Sequence, residues 1–221
     1  MSLQVTDIEV RLPDKARRAS SSFLAKKPMA EVTLSLDNGH SREIVVPTRV
    51  GRILLAEGIP LPQDEDAAFD AIHAIEGRVC LTMLTEMLSR RDHGTEEARR
   101  KLSLYGFRDI EIDAALQRAT ELRFLNDDRF VSYFIDERKR RGWGRRKVEV
   151  ELKRRGIDLD AIPGWPDEYF SDDEDLVRAR ELLANRPVPT TNAFEKLVRR
   201  LMSKGFSYGV AAQVARERCS L

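Results

Sequence analysis

The chain of 221 residues has little of what marks several classes of protein. It contains two cysteines and three histidines, too few for a disulfide framework and too scattered for a typical metalloenzyme. No run approaches the ~20 apolar residues of a membrane span. The N-terminus also lacks the apolar core of a signal peptide. These absences exclude a secreted disulfide scaffold and a membrane protein.

Catalytic constellations are absent as well. The sequence has no Gly-rich phosphate loop, no Cys–His pair and no Ser–His–Asp arrangement in a convincing context. The carboxylates Asp127-Asp128 and those at 172–175 could be imagined as metal ligands. Both sets directly precede helical patterns, however, where carboxylates bind free N–H groups and the positive end of the helix dipole. We therefore interpret the chain as a binding protein without catalytic residues, metal or cofactor.

Charge is balanced in number and polarised in position. The chain has 38 Lys+Arg and 37 Asp+Glu, yet residues 138–155 hold ten bases and two acids, a net charge of +8. Residues 158–175 hold eight acids and no base. This polarity fits either two solvated helix faces or a surface for a polyanion or an acidic partner. Charge alone leaves these two interpretations equal.

The basic segment is the sharpest candidate site. It joins two predicted helices through a tight turn, Gly142-Trp143-Gly144, and its bases could neutralise phosphates. Trp143 could stack on a base or, as the sequence slightly favours, cover a neighbouring module. The i,i+4 pairs Glu149–Lys153 and Glu151–Arg155 would support the second helix. The candidate binding residues are Arg138, Lys139, Arg140, Arg141, Trp143, Arg145, Arg146, Lys147, Lys153, Arg154 and Arg155.

Hydrophobic patterning predicts a mainly α protein with a small N-terminal β-hairpin element. Residues 31–36 and 43–47 alternate around the turn signal Asp37-Asn38-Gly39, and residues 15–28 suit an exposed basic loop. From Asp64 onward every long segment has a helical period. We predict a β-containing element at 1–62 and three-helix repeats at 63–125, 126–170 and 171–221. The repeats should pack into an elongated array, and we expect the protein to be a monomer.

One glycine in each predicted repeat carries the periodicity. Gly106, Gly156 and Gly205 are separated by 50 and 49 residues. Each has leucine four positions earlier and an apolar residue immediately after it. A left-handed glycine at this place ends a helix in a Schellman motif, in which those two apolar side chains touch. The central repeat differs, because Pro163-Gly164-Trp165-Pro166 shortens its third helix.

Several motifs together resemble the RecX family of recombinase regulators. The strongest block runs from Leu125-Asn-Asp-Asp-Arg-Phe130 through Arg138 and Gly142 to residues 145–157, which read RRKVEVELKRRGI. Supporting matches are Leu88-Ser-Arg-Arg-Asp-His-Gly-Thr95 with Leu102-x-x-x-Gly106-Phe107, and Leu201-x-x-x-Gly205-Phe206-Ser207. The resemblance covers roughly residues 66–218.

The resemblance implies a cytoplasmic modulator of RecA. Proteins of this family consist of tandem three-helix modules that bind in the groove of the RecA–DNA filament and restrain its recombinase, ATPase and coprotease activities. The favoured hypothesis is accordingly a regulator that binds the RecA nucleoprotein filament. The alternative is a module that binds single- or double-stranded DNA directly, since three-helix units also act as helix-turn-helix readers.

Overall fold

The chain forms two compact units, Met1–Asn126 and Asp127–Leu221. The computed structural model describes residues 3–14 and 26–220. Most of the basic loop predicted at 15–28 lies outside the described residues. Helices dominate both units and the only described sheet is N-terminal, so the predicted fold class, mainly α with a small β element, is confirmed.

The sheet is antiparallel and has four strands in the order β3-β2-β1-β4. The predicted hairpin pairs β2 with β3, and Gly39 takes the positive φ of +81° that its turn requires. β1 adds to the other side of β2. The fourth strand was not predicted. It consists of only two residues, paired with Gln4 and Val5, and two residues are too few to show the alternating hydrophobic pattern of a strand. The strands are β1 Gln4–Arg11, β2 Met29–Leu36, β3 Ser41–Pro47 and β4 Gln63–Asp64.

Four helices share one hydrophobic core with this sheet. Val32 and Leu34 of β2 belong to the same buried cluster as Ile72, Leu102 and Ile112. The sheet is thus an integral layer of the first unit, in which the burial of its inner face stabilises helices and strands together. The helices are α1 Thr48–Glu57, α2 Glu65–Leu88, α3 Thr95–Leu104 and α4 Asp109–Glu121.

Helix starts in this unit depend on contacts that a local pattern does not contain. Thr and Asp are residue types preferred at N-caps, but here four of them lie inside the first turn of a helix: Thr48, Asp66, Thr95 and Asp109. The hydroxyl of Thr48 donates to the Pro28 carbonyl at 2.6 Å, so it does not cap α1. At the start of α4, the Arg108 amide donates to buried Glu76 of α2 at 3.0 Å. The Glu76 side chain thus binds an amide at the start of α4 from 32 residues earlier in the sequence.

The second unit contains five helices among its described residues and two hydrophobic clusters. One cluster joins the first two helices to the segment around Ile157 and Phe170, and the other joins the last three helices. No helix forms between residues 156 and 171. The third helix of the central repeat, predicted to be shortened by Pro163 and Pro166, is therefore absent from the structure. The helices are α5 Asp127–Arg140, α6 Arg145–Arg154, α7 Asp172–Ala184, α8 Ala193–Ser203 and α9 Tyr208–Cys219.

The three predicted helix stops are confirmed as Schellman motifs. Gly106, Gly156 and Gly205 have φ values of +88°, +84° and +97°. At the end of α6, the Ile157 amide donates to the Leu152 carbonyl at 3.1 Å and the Gly156 amide to the Lys153 carbonyl at 2.9 Å. The same two bonds recur at the ends of α3 and α8. One local rule therefore ends the corresponding helix in each repeat.

Gly156→Val should lower the free energy of unfolding by about 1 kcal/mol or more, because a β-branched residue is strained at positive φ. Gly156→Asn is the matched control, since asparagine tolerates the left-handed region better than valine. Denaturant unfolding followed by circular dichroism measures both variants. Equal stability of the parent, Asn and Val proteins would contradict the assigned stop.

Candidate functional site

The basic segment lies at the junction of α5 and α6. Helix α5 ends at Arg140 and is followed by Gly142 with φ +71°. The Trp143 amide donates to the Arg138 carbonyl at 3.0 Å. The Gly142 amide donates to the Lys139 carbonyl at 2.8 Å. This is another Schellman motif, but Gly142 does not fit the spacing of about 50 residues that relates Gly106, Gly156 and Gly205. It turns the chain sharply and places cations of both helices around Trp143.

The turn is fixed by backbone contacts to the end of α8. The Gly144 amide donates to the Lys204 carbonyl at 2.9 Å, and the Arg146 amide donates to the Gly205 carbonyl at 3.0 Å. A Cβ at Gly144 would lie 2.6 Å from the Gly205 backbone. The first turn of α6 thus binds carbonyls at the C-terminal end of another helix, which satisfies groups that each helix leaves unpaired. We call this contact the helix-end joint.

An alternating series of cations and aromatic rings crosses the junction. The Arg138 guanidinium lies 4.7 Å from the Phe134 ring centroid and 4.9 Å from that of Trp143. Arg155 lies over Phe134 at 5.2 Å, and the Lys147 ammonium lies over Trp143 at 4.4 Å. Each cation–π contact of this kind is favourable by about 0.5–2 kcal/mol. Arg138, Lys147, Arg155 and Trp143 therefore act in part as structural groups.

The acidic stretch meets the basic one at Lys139. The Lys139 ammonium bonds to Glu174 at 3.1 Å and lies 4.9 Å from the Phe170 ring centroid. Its hydrogen bond is the largest influence on Glu174 and lowers the pKa of that carboxyl. Arg178 approaches the same ring at 5.8 Å and pairs with buried Asp175. Burial raises the Asp175 pKa despite that pairing.

Other cations pair with acids of their own helix. The predicted pair Glu151–Arg155 is present at 3.0 Å. The predicted pair Glu149–Lys153 is wrong, because Glu149 binds Arg145 at 2.7 Å on the preceding turn. Arg141 pairs with Glu137, and Arg154 with Glu151. Exposed pairs of this kind stabilise a helix only slightly and partly neutralise its surface.

Three cations of the segment have neither an ion pair nor an aromatic-ring contact with any residue that the structure describes: Arg140, Arg146 and Lys153. All three are exposed. Lys147 also has no ion pair, but its ammonium lies over the Trp143 ring. Arg146 and Lys153 flank Val150, which is 66% exposed, at positions i, i+4 and i+7 of α6, so they share one helix face. We call Arg140, Arg146 and Lys153 the open basic set. It is the part of the segment for which folding of the described chain supplies no partner.

One basic residue near this site was not predicted from the sequence. Arg178 of α7 joins Lys139, Arg140 and Arg141 around a surface cavity of about 480 Å³ at the end of α5. In sequence it stands among acids, to which it is bonded at i−3 and i−4. No local signal connects it to α5, because the connection depends on packing across Phe170.

Among the described residues, no group of three or more His, Cys, Asp or Glu side chains is placed to hold a metal ion. No described helix is both long and apolar enough to cross a membrane.

The fold and the repeated stops define a mainly helical protein with an N-terminal sheet, in which the same helix stop recurs at Gly106, Gly156 and Gly205. Residues 126–162, which contain the open basic set, match the family model described as RecX, second three-helix domain. Regulatory protein RecX of Thermobifida fusca is 32% identical over 168 residues, covering 73% of this chain and 88% of that protein. The chain therefore belongs to the RecX family, whose curated relatives are named regulatory proteins.

Solved structures agree in fold. A crystal structure of RecX from Lactobacillus salivarius aligns with a TM-score of 0.56 and 21% identity, covering 67% of this chain and 99% of that one. A crystal structure of a regulatory protein RecX aligns with a TM-score of 0.56 and 13% identity, covering 96% of this chain and 98% of that one. At these identities the likeness concerns the fold.

Gly144→Ala should destabilise the second unit by about 1–3 kcal/mol, because the added methyl group collides with the Gly205 backbone. The φ of Gly144 is −86°, which alanine adopts freely, so the effect isolates the close approach. Chemical denaturation followed by tryptophan fluorescence measures it, since both tryptophans lie in this unit.

Gly209→Ala is the control for that experiment. Gly209 lies in the first turn of α9, and its nearest non-neighbouring atom would be 3.9 Å from a new Cβ. The control should be neutral or stabilising by up to about 1 kcal/mol. If Gly144→Ala is as stable as Gly209→Ala, the helix-end joint is not as close as described.

Proposed function

We propose that this RecX-family protein binds the RecA nucleoprotein filament through the open basic set and restrains the recombinase, ATPase and coprotease activities of RecA. The observation that carries the proposal is the concentration of unpaired cations on a fixed junction. Membership of a family of regulatory proteins supports the regulatory role. Binding to the filament and inhibition of RecA are the two parts of the proposal that require a direct test.

The division of labour within the segment supports a partner of opposite charge. Arg138, Lys139 and Arg155 are largely buried against aromatic rings, so folding accounts for their presence. Arg140, Arg146 and Lys153 are exposed and pair with no described acid, and exposed cations of this kind contribute little to stability. A polyanion would neutralise them and release counterions.

Preorganisation also favours binding at this place. The helix-end joint holds the first turn of α6 by two backbone hydrogen bonds, and the series of rings and cations holds the end of α5. Little conformational entropy of the backbone is then lost when a partner binds. Trp143 already has two cations over its ring, which favours a supporting role for it over stacking on a base.

We further propose that the protein acts as a monomer.

Replacing Arg140, Arg146 and Lys153 together by glutamate should abolish most inhibition of RecA ATPase and weaken filament binding. Filament binding by the parent should fall steeply with salt, because each neutralised phosphate contributes about −0.7 (single strand) to −0.9 (duplex) to the slope of log K against log salt. The triple variant should have a shallower slope. Inhibition and co-sedimentation with filaments at two salt concentrations measure both effects.

The control is Arg199→Glu, which reverses an exposed cation on α8 of the same unit. It should inhibit like the parent. Bare single- and double-stranded DNA are tested in parallel, and binding to bare DNA as strong as binding to filaments would favour the direct DNA-binding alternative. If the folded triple variant inhibits as well as the parent at both salts, the assignment of the site is wrong.

A further inference from the structure

A second basic site lies in the first unit, far in sequence from the open basic set. A surface cavity of about 500 Å³ opens where α1 begins, next to the end of α3. Its volume falls within the range of about 300–1,000 Å³ that is typical of small-ligand sites. Three cations line it, Lys27, Arg49 and Arg52, and no acidic residue is among its described lining residues.

The cations differ in how the fold holds them. Both terminal nitrogens of Arg49 bond to the carboxylate of Glu86, at 2.6 and 2.8 Å, which fixes the direction of that side chain. The backbone of Lys27 is anchored by its amide, which donates to the Leu104 carbonyl at 2.7 Å. Arg52 is exposed and has no ion pair with a described residue. The cavity thus combines an oriented guanidinium with an uncommitted one.

The start of α1 adds to the positive potential. No side chain caps this helix and its first turn contains no acid, while the Thr48 hydroxyl is engaged by the Pro28 carbonyl. Amides at the start of a helix favour a bound anion, and the helix dipole acts in the same direction. Together with the exposed guanidinium of Arg52, which has no ion pair with a described residue, this end of the cavity is suited to a phosphate group.

The other walls are apolar and include one aromatic ring. Pro28, Pro47, Met83 and Tyr105 line the cavity. Tyr105 is 40% exposed, although its backbone is fixed by the Schellman stop at Gly106. An accessible ring on a fixed backbone, next to cations, is the combination with which proteins hold a base and its phosphate.

We propose that this cavity binds a nucleotide unit, with the phosphate at Arg49, Arg52 and the start of α1 and the base against Tyr105. The unit can be a free nucleotide or one link of a single strand, because the recognised chemistry is the same. The cavity uses no residue of the open basic set. Binding there is measured without RecA, so its failure leaves the filament proposal untouched, and the reverse also holds.

The test is a titration of the full-length, ¹⁵N-labelled protein with the 5′-phosphorylated dithymidylate pTpT. Saturable shifts are expected at the amides of Arg52 and Tyr105. Thymidine monophosphate, thymidine and inorganic phosphate are titrated in parallel. Tighter binding of pTpT than of the monophosphate identifies a strand as the ligand, and equal binding identifies a free nucleotide. Inorganic phosphate binding as tightly as either would overturn the proposal.

Variants separate the ring from the charge. Tyr105→Ala should weaken pTpT binding by roughly fivefold or more, which is the scale of one base–aromatic stack, whereas Tyr105→Phe should bind like the parent. Arg52→Ala should weaken pTpT and inorganic phosphate alike. Arg118→Ala removes an exposed cation of α4 and is the charge-matched control. Unchanged binding in Tyr105→Ala, or shifts confined to α6, would overturn the assignment.

Discussion

Two glycines allow the backbones of α6 and α8 to meet within hydrogen-bonding distance, and the arrangement of the second unit depends on that approach. Gly144 and Gly205 have no side chains to keep the helix ends apart. Two orphan carbonyls at the end of α8 therefore accept from two amides at the start of α6. Unpaired backbone groups at a helix end inside a protein are unfavourable. This contact therefore stabilises both helices and fixes the turn between α5 and α6.

The fixed turn gives the basic segment its two parts. Cations that face inward are held over Phe134, Trp143 and Phe170, where their stems also cover apolar surface. Cations that face outward have acids of their own helix, or none. A net charge of +8 in 18 residues is thus reduced to a small open set at defined positions, and the acidic stretch contributes through Glu174 to this reduction.

Sequence reasoning succeeded where the physical rule is local. The Leu-x-x-x-Gly stops at Gly106, Gly156 and Gly205 follow from one backbone conformation and one side-chain contact, which neighbouring residues dictate. The hairpin at Gly39 is of the same kind. The prolines between α6 and α7, which cannot continue a helix, predicted that a third helix there would be shortened, and the structure has none. The RecX resemblance rested on these local motifs and is confirmed.

The rest depended on contacts between distant residues. Nothing next to Arg108 indicates that Glu76 will bond to its amide, and nothing next to Gly144 indicates Gly205. Arg138 and Arg140 look equivalent in the sequence, yet one lies over two rings and the other is open. The spacing of Arg138 four residues after Phe134 was a usable signal for that difference. Arg178 had no such signal, because only tertiary packing brings it to α5.

Hydrogen exchange at two amides tests the helix-end joint most directly. Amides in the first turn of a helix have no acceptor within the helix and normally exchange rapidly. We expect the amides of Gly144 and Arg146 to exchange as slowly as those in the middle of α6, while the first-turn amides of uncapped α1 exchange quickly. Exchange of Gly144 and Arg146 at the rate of the α1 amides would contradict the joint and the fixed geometry derived from it.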